Sequence, residues 1–336
     1  MLNDPVAVTE QLMAVDSTIG LEGPAIDVLE RLLGGAGWQT TRIPVTPGRD
    51  DLYARSATAP CVVTLSTHID TVPPFIPSRR DHRRLYGRGA CDAKGIAASM
   101  IVAAERVRAS GAAVGLLFVV GEEVSHDGAH AANAWVRANP TGSRVIINGE
   151  PTESTLAVGT KGAVRVLVRA KGQAAHSAYP HLGRSATRDL VALLAELDRL
   201  ALPTDELLGD TTINIGSLAG GVADNVMAPS AEARLMIRLV TPADEVRAII
   251  ERWASGRAAL EWGAMVPPMR LGVLDGFPTS VAAFATDIPE LTNWGTPYLF
   301  GPGSIHVAHR DDEFVEIAEL SSAADTYERL ATQLAG

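Results

Sequence analysis

The chain has 336 residues, of which 46% are hydrophobic and 20% are charged, and its formal net charge is −10. This length predicts two domains, and the composition is that of an ordinary globular protein. The acidic balance argues against a nucleic-acid partner, which would favour a basic face. No apolar run approaches the roughly 20 residues that a membrane-spanning helix needs. We therefore expect no nucleic-acid or membrane partner.

The amino-terminal segment and the cysteines favour a cytoplasmic location. The first residues contain neither a basic region nor an apolar stretch of the kind found in secretory signals. The two cysteines, Cys61 and Cys91, are too few to build a disulfide framework. We interpret both as small buried thiols of a protein in a reducing compartment.

Apolar runs alternate with amphipathic segments through the first 150 residues. In chain order, they predict helices over 5–16 and 22–36, a strand over 61–67, a helix over 93–109, a strand over 115–120, a helix over 126–138 and a strand over 144–147. Such alternation is typical of an α/β fold, in which a mostly parallel sheet has helices on both faces.

The pattern changes after residue 160. The next predicted elements are a strand over 162–172, a helix over 184–200, strands over 211–218 and 231–239, and a helix over 244–255. This order indicates a small α+β sandwich with one sheet and helices on one face. A final helix is predicted over 316–334. We therefore expect a discontinuous first domain, residues 1–159 and 269–336, that is interrupted by an inserted domain, residues 160–268.

Side chains of the kind that bind metals follow three of the predicted strands. His68 and Asp70 come directly after the strand over 61–67, and their spacing points both side chains the same way on an extended chain. Glu122 and Glu123 follow the next strand, and Glu150 comes shortly after the third. Because ligands bind at the carboxyl ends of strands in open α/β sheets, we expect these residues to meet at one edge.

Two further candidates have ordinary structural alternatives. Asp92 follows a Gly-x-Gly turn and opens a predicted helix, where it could instead be a helix N-cap. The turn lacks the remaining residues of a phosphate-binding loop, so we exclude that function. His309 lies in a stretch rich in glycine and proline, where a surface position is the alternative, and His306 is a second candidate beside it. Convergence of the segments at one sheet edge favours a metal site.

Two imidazoles and several carboxylates form the ligand set that zinc or a similar divalent ion prefers. A two-metal site needs a bridging carboxylate, and Asp92 is the best candidate. Glu122 is left over as the base that takes a proton from water and passes it to the leaving nitrogen. Asp70 would hold His68 in its orientation without itself binding the metal. The expected ligands are His68 and Glu150 for one ion, Glu123 and His309 for the other, and Asp92 for both.

As a set, these segments resemble the M20 family of metallopeptidases and amidohydrolases, which includes acetylornithine deacetylase and succinyl-diaminopimelate desuccinylase. The similarity covers nearly the whole chain, through residues 67–73, 86–95, 121–123, 149–151 and 301–313. It implies a site with two divalent ions, zinc or alternatively Co²⁺, and the same residue roles. It selects His309 over His306, because the family pattern His-x-x-Asp/Asn-Glu begins at His309.

The inserted domain resembles the dimerisation lid of the same family, through residues 161–162 and 172–180. The resemblance implies a homodimer formed through this domain. It also implies that His176 helps to form the oxyanion site, usually that of the partner subunit, and that Asn225 contacts the substrate. Arg238 matches an arginine that holds a substrate carboxylate. The chain departs from the family at Met236, where an aspartate is usual, and in the residues after Asn225, where the proline is displaced by one position.

The resemblance implies metal-dependent hydrolysis of the amide bond of a small N-acyl amino acid, most like N-acetylornithine. An acetyl-lysine or succinyl-diaminopimelate type deacylase is an alternative, as is a dipeptidase or carboxypeptidase. A catalytically silent dimer that binds an amino acid is the non-enzyme alternative. Such a protein would be expected to lose a ligand or the base, and none is missing here.

Overall fold

The structure is a computed structural model that describes residues 2–57 and 59–336. The described residues form seven α-helices: α1 Pro5–Met13, α2 Gly23–Gly35, α3 Lys94–Ala109, α4 Asp127–Ala138, α5 Ala186–Leu194, α6 Ala243–Ala254 and α7 Ile317–Ala335. Their strands are β1 Gln39–Thr46, β2 Arg49–Arg55, β3 Val63–His68, β4 Arg79–Arg80, β5 Arg84–Tyr86, β6 Val114–Val119, β7 Val145–Asn148, β8 Leu156–Thr160, β9 Gly162–Lys171, β10 Thr204–Asp205, β11 Gly209–Asp210, β12 Thr212–Gly220, β13 Ser230–Leu239, β14 Ala259–Val266, β15 Met269–Arg270, β16 Thr279–Ala282, β17 Thr296–Leu299 and β18 Phe314–Glu316.

The chain divides into two compact units. The first contains the described residues up to 158 together with 271–280 and 286–336, and the second contains residues 159–270 and 281–285. The sequence predicted residues 160–268 for the inserted domain. The structure differs mainly by the short segment 281–285, which also belongs to the second unit.

The first unit contains a six-stranded sheet with the order β1-β2-β6-β3-β7-β17. Strands β6, β3, β7 and β17 are parallel neighbours, whereas β1 and β2 form an antiparallel hairpin that extends the sheet at one edge. The expected α/β fold with a mostly parallel sheet is confirmed. The hairpin was not predicted.

Helices cover both faces of this sheet. On β6, Leu116 and Phe118 pack into one core with residues of α2, α3 and α7. The alternate residues Leu117 and Val119 pack into a second core with α4 and Trp294 on the opposite face. Because both faces are buried, the central strands are continuous apolar runs, which is why the sequence predicted them.

The carboxyl ends of β3, β6 and β7 lie side by side, because these three strands are parallel and in register. The loops that leave them therefore emerge at one edge of the sheet, where open α/β folds bind their ligands. These loops carry Asp70, Glu122, Glu123 and Glu150.

The second unit contains a four-stranded antiparallel sheet with the order β12-β13-β9-β14. Inward-facing residues of β9 and β13, such as Val166 and Leu235, share a core with Leu190 of α5 and Ile250 of α6. The expected α+β sandwich is present. Strand β14 was not predicted, because its alternation of apolar and polar residues is short: it breaks after Trp262, where the pairing with β9 shifts register, and Met265 is exposed.

The helix predicted over 184–200 ends earlier, at Leu194, and a short 3₁₀ turn follows at Leu197–Arg199. The carbonyl group of Leu193 accepts a hydrogen bond from the indole of Trp253, at 3.2 Å, and one from the backbone of Glu196, at 3.1 Å. This tertiary contact helps to tighten the end of the helix, and the local periodicity could not indicate it.

Two smaller expectations concern the cysteines and the membrane. Cys61 and Cys91 are both free and buried, as the sequence predicted. Among the residues that the structure describes, no helix has both the length and the hydropathy needed to cross a bilayer.

Candidate active site

His68 is the last residue of β3, and its side chain is 1% exposed. Its Nδ1 lies 3.0 Å from the carbonyl oxygen of Asp70 and 3.5 Å from the Asp70 carboxylate. Hydrogen bonding on this side places the proton on Nδ1 and leaves Nε2 as the metal-binding nitrogen. Nε2 points at Asp92, whose Oδ1 lies 3.0 Å away.

Asp70 also fixes the loop that follows β6. Its two carboxylate oxygens accept the backbone N–H groups of Glu122, at 3.2 Å, and Glu123, at 3.1 Å. One buried aspartate thus connects the histidine at the end of β3 to the pair of glutamates at the end of β6. The sequence predicted the first of these two roles and not the second.

Asp92 lies between the two candidate histidines. Its Oδ1 faces His68, and its Oδ2 lies 3.2 Å from Nε2 of His309. It is not a helix cap, because the N-cap of α3 is Ala93 and no side-chain cap bond forms there. The alternative interpretation of Asp92 is therefore wrong. Its carboxylate has the geometry of a bridge, with one oxygen directed to each side.

The turn that presents Asp92 is built around Glu313. One oxygen of Glu313 accepts the backbone N–H groups of Gly89, Cys91 and Asp92 at 3.0–3.1 Å. Its other oxygen lies 2.7 Å from Nη1 of Arg88, and both side chains of this ion pair are buried. The sequence placed Glu313 in a motif, but nothing in the local pattern indicated that it would support a turn more than 200 residues away.

Glu123 and His309 form the second half of the cluster. Oε1 of Glu123 lies 3.0 Å from Nε2 of His309, whose side chain is half-exposed. The other late candidate, His306, has a side chain that is 83% exposed, and its Nε2 lies 4.0 Å from Oε1 of Glu153. The structure therefore brings His309 to the cluster and leaves His306 outside it.

Glu150 follows β7 and is buried. Its Oε2 lies 3.9 Å from Nε2 of His68. The loop at Gly301 packs against it so closely that a Cβ atom at that position would lie 2.3 Å from the Glu150 carbonyl oxygen. Glycine at 301 thus allows the late Gly-Pro-Gly loop to reach this edge of the sheet.

Glu122 lies beside these residues without a hydrogen bond to either histidine among the described contacts. Ligand-type atoms of Glu122, His68 and Glu150 all lie within 4.8 Å of one another. Burial and the charge of Glu150 raise the pKa of Glu122 well above the usual carboxyl value. A carboxylate in such surroundings is suited to exchange protons.

The two histidines and the carboxylates that contact them shift one another's pKa values. Hydrogen bonds to Asp92 and Glu123 raise the pKa of His309 to about 10. Burial opposes ionisation of Asp92, but its hydrogen bonds to His309 and His68 hold its pKa below the usual range. Burial also opposes protonation of His68, yet its bonds to Asp70 and Asp92 raise its pKa well above normal.

This donor set fits two divalent ions. The carboxylates of Asp92, Glu122, Glu123 and Glu150 face only two imidazoles, so negative charge is in excess. Oxygen and imidazole nitrogen ligands in this mixture suit zinc and its near relatives.

The three site residues expected in the inserted domain all lie in the second unit. His176 is exposed, accepts the N–H of Ala178 at Nδ1, and pairs through its backbone with Val226. Asn225 is exposed, and its carbonyl accepts the N–H of Ser177 at 2.9 Å. Arg238 is half-buried near the end of β13. Their roles toward a substrate stay predictions.

Comparison with known proteins identifies the family of this chain. The model of the peptidase family M20/M25/M40 matches residues 64–333. A probable carboxypeptidase of Aspergillus terreus is 38% identical over 95% of this chain and 84% of its own. A peptidase M20 domain-containing protein of Schizosaccharomyces pombe is 36% identical over 97% of this chain and 83% of its own.

Solved structures show the same fold. Aminopeptidase PepT from Bacillus cereus superimposes with a TM-score of 0.81 at 19% identity, covering 100% of this chain and 99% of that one. A dinuclear metal-binding peptidase of the M20 family from Bacillus subtilis has a TM-score of 0.72 at 15% identity, covering 98% and 97%. The chain therefore belongs to the peptidase family M20/M25/M40 and is a metal-dependent hydrolase of amide bonds.

Proposed function

We propose that the protein hydrolyses the amide bond between an acyl group and the nitrogen of a terminal amino acid, and so releases a free amino acid. The observation that carries this proposal is the meeting of the two-histidine cluster with Glu122 at one sheet edge. Every expected ligand and the base are present, so the chain retains what a catalytically silent relative would lack.

The residues that would hold two divalent ions are His68, Asp92, Glu123, Glu150 and His309. When bound, such ions acidify water and polarise a carbonyl oxygen. Asp92 offers one oxygen to each half of the cluster, and Asp70 keeps His68 in the tautomer whose Nε2 is free to bind. Zinc fits this donor set, and Co²⁺ is the alternative.

Glu122 performs the proton transfers in this proposal. Its carboxylate accepts a proton from the attacking water while the oxygen of that water adds to the scissile carbonyl carbon. The same carboxyl group then gives the proton to the nitrogen as the carbon–nitrogen bond breaks. The surroundings that raise its pKa favour both steps, because they make the group a better base.

The acyl group distinguishes two versions of the reaction. The segment from Gly301 to His309 favours an acetyl group, as in N-acetylornithine. The name of the Aspergillus terreus relative, probable carboxypeptidase, favours a peptidyl group. Both versions release an amino acid with a free carboxylate, so both need a group that recognises that carboxylate.

Arg238 is the proposed carboxylate-binding residue, with Asn225 and His176 as further substrate contacts. Among the described residues, the guanidinium of Arg238 has no ion-pair or hydrogen-bond partner, although the residue is half-buried. Burial, and then the charge of Arg165, lower its pKa. An unpaired guanidinium in such surroundings favours an anionic partner, and carboxylates match its fork-shaped donors.

We also propose a homodimer that forms through the second unit. Strand β12 is an edge strand of the sheet, and all nine of its residues are at least partly exposed. Its apolar side chains include Ile215, 44% exposed, and Leu218, 50% exposed. A long exposed apolar edge strand is a template for pairing with another chain. The cytoplasm remains the proposed location, since both cysteines are free thiols.

A substrate panel tests the proposed reaction. Protein loaded with Zn²⁺ or Co²⁺ would be offered N-acetylornithine, N-acetyl-lysine, N-succinyl-diaminopimelate, dipeptides and longer peptides, each paired with its carboxyl-terminal amide. We expect release of a free amino acid from at least one acid substrate and at least tenfold slower cleavage of its amide. Equal rates on acids and amides, no cleavage of any substrate, or full activity after chelation would contradict the proposal.

A further inference from the structure

A second histidine–carboxylate pair lies beside the proposed base and outside the proposed metal ligands. Nδ1 of His126 lies 2.7 Å from Oδ1 of Asp287. The Asp287 side chain is 1% exposed. Ligand-type atoms of Glu122, His126 and Asp287 all lie within 4.8 Å of one another. None of the roles assigned above uses His126 or Asp287.

The local backbone is arranged to present His126 at this place. His126 precedes α4 in the left-handed conformation, with φ of 53°, which a residue other than glycine rarely adopts. The carbonyl of Gly121 accepts the N–H groups of Ser125, at 3.0 Å, and His126, at 2.8 Å, and so closes the loop that contains Glu122. Unusual backbone conformations that the surroundings enforce are concentrated at functional sites.

The pair also joins two distant parts of the first unit. His126 leaves the loop after β6, whereas Asp287 lies 161 residues further along the chain, in the segment that returns from the second unit. Among the described contacts, neither side chain forms a hydrogen bond with His68, Asp92, Glu123, Glu150 or His309. Glu122 is the site residue whose ligand-type atoms lie within 4.8 Å of both members of the pair, so it is the residue on which the pair is best placed to act.

The charges of His126 and Asp287 are consistent with a role in supporting Glu122. Asp287 is a buried carboxylate, which needs a counter-ion or hydrogen-bond donor to stay ionised. His126 supplies one, and the hydrogen bond to Asp287 raises the pKa of His126. The imidazole lies within 4.8 Å of the Glu122 carboxylate, and, besides burial and the charge of Glu150, the charge of Asp287 raises the pKa of Glu122, so the pair acts on the base through position and charge together.

We propose that His126 and Asp287 are positioning residues, which hold the carboxylate of Glu122 in the orientation that proton transfer requires. This inference rests on the proposed function, in which Glu122 is the base. It adds two residues that no family motif quoted above contains.

A neighbouring pair provides a matched control. His130 lies one helical turn further along α4, and its Nδ1 is 3.2 Å from Oε2 of Glu290, which belongs to the same returning segment as Asp287. The His130 side chain is 59% exposed. This second pair joins the same two parts of the chain, but it is not part of the cluster around Glu122.

The test compares His126→Asn, Asp287→Asn and His130→Asn in metal-loaded protein, with the best substrate of the panel. Asparagine tolerates the left-handed conformation, so His126→Asn can keep the native backbone conformation at position 126. We expect kcat to fall about 10- to 100-fold in the first two variants, since misplacement of a reacting group by about 1 Å costs this much. KM should stay within about twofold, the metal content should stay at wild-type level, and His130→Asn should stay within about twofold in kcat.

A double-mutant cycle separates positioning from general damage. In the Glu122→Gln background, His126→Asn and Asp287→Asn should have no further effect on the residual rate, because the group that they position is gone. An undiminished further loss in that background would overturn the inference, as would a loss of bound metal or an equal loss in His130→Asn. If His126→Asn does not fold, Asp287→Asn carries the same comparison.

The outcomes also distinguish this inference from the proposed function. Wild-type protein that hydrolyses no member of the panel contradicts the proposed function. Active wild-type protein together with a fully active His126→Asn variant contradicts only the positioning role.

Discussion

At the scale of single residues, the site depends on carboxylates that make several contacts at once. Asp70 contacts His68 and accepts two backbone N–H groups from the loop after β6. Asp92 directs one oxygen to each histidine of the cluster. Because the two sides share these groups, displacement of either aspartate would disturb both halves of the site.

The first prediction concerns the base. Glu122→Gln removes the proton acceptor but keeps the size of the side chain, and Glu122 is not one of the proposed ligands. We expect kcat to fall about 10²- to 10⁴-fold while two ions stay bound, because general base catalysis typically contributes this much. Kinetics and metal analysis of the same preparation check both parts. Unchanged kcat would remove Glu122 from the reaction.

The second prediction concerns protons released on metal binding. Histidine must be deprotonated to bind a metal, and the pKa of His309 in the metal-free protein is about 10. A raised pKa means that His309 is protonated at pH 8, so Zn²⁺ must displace that proton. We expect at least one proton to be released at pH 8, and the apparent Zn²⁺ affinity to rise with pH up to about 10.

Calorimetry in two buffers with different ionisation enthalpies measures this release. The matched control is His306→Ala, which changes a histidine outside the cluster and should release the same number of protons as wild type. Binding of Zn²⁺ at pH 8 without proton release would contradict the account of His309.

At the scale of elements, the turn before α3 depends on a side chain from the other end of the chain. Glu313 accepts three backbone N–H groups of this turn and pairs with buried Arg88. Removing one partner of a buried ion pair leaves the other charge uncompensated. The position of Asp92 should therefore depend on Glu313.

The third prediction follows from that dependence. Glu313→Ala should lower the free energy of unfolding of the metal-free protein by about 3–5 kcal/mol, measured by urea denaturation, and should weaken zinc binding. The control is Glu316→Gln, which removes the more exposed ion pair between Glu316 and Arg84 and should cost less than about 1 kcal/mol. Equal losses in the two variants would contradict the special role of Glu313.

The elements predicted correctly from the sequence are those whose burial is uniform or strictly periodic. Strands β3 and β6 are buried at every position, and β9 alternates strictly between buried and more exposed residues. The hairpin of β1 and β2 was missed because its sequence is rich in charged residues, one of which is buried. Asp51 is fully buried in β2, where its carboxylate accepts the N–H of Val120. Hydrophobic patterning cannot anticipate a buried acid.

Prediction of the candidate site from the sequence has a similar limit. Residues that follow strands could be predicted to meet, because parallel strands bring their carboxyl ends to one edge. The supporting pairs could not be predicted in the same way. Arg88 and Glu313 are 225 residues apart in the sequence, and His126 and Asp287 are 161 apart. No local spacing indicates that these residues pair, because the contacts form only when the chain folds.

At the scale of the whole molecule, the fourth prediction concerns assembly. Native protein should have twice the mass of the 35.3 kDa chain in size-exclusion chromatography with light scattering. Ile215→Lys places a charge on the exposed edge strand β12 and should give a monomer. Met265→Lys, on the opposite edge strand β14, is the control and should leave the dimer intact. A wild-type monomer, or loss of the dimer only in the control, would contradict this interface.

The most direct test of the whole account is anomalous diffraction at the zinc absorption edge from crystals of zinc-loaded protein. We predict two peaks at the edge of the six-stranded sheet, each about 2.0–2.2 Å from one oxygen of Asp92, with His68 and Glu150 at one peak and Glu123 and His309 at the other. Peaks away from Asp92, or no peak at this edge, would contradict the account.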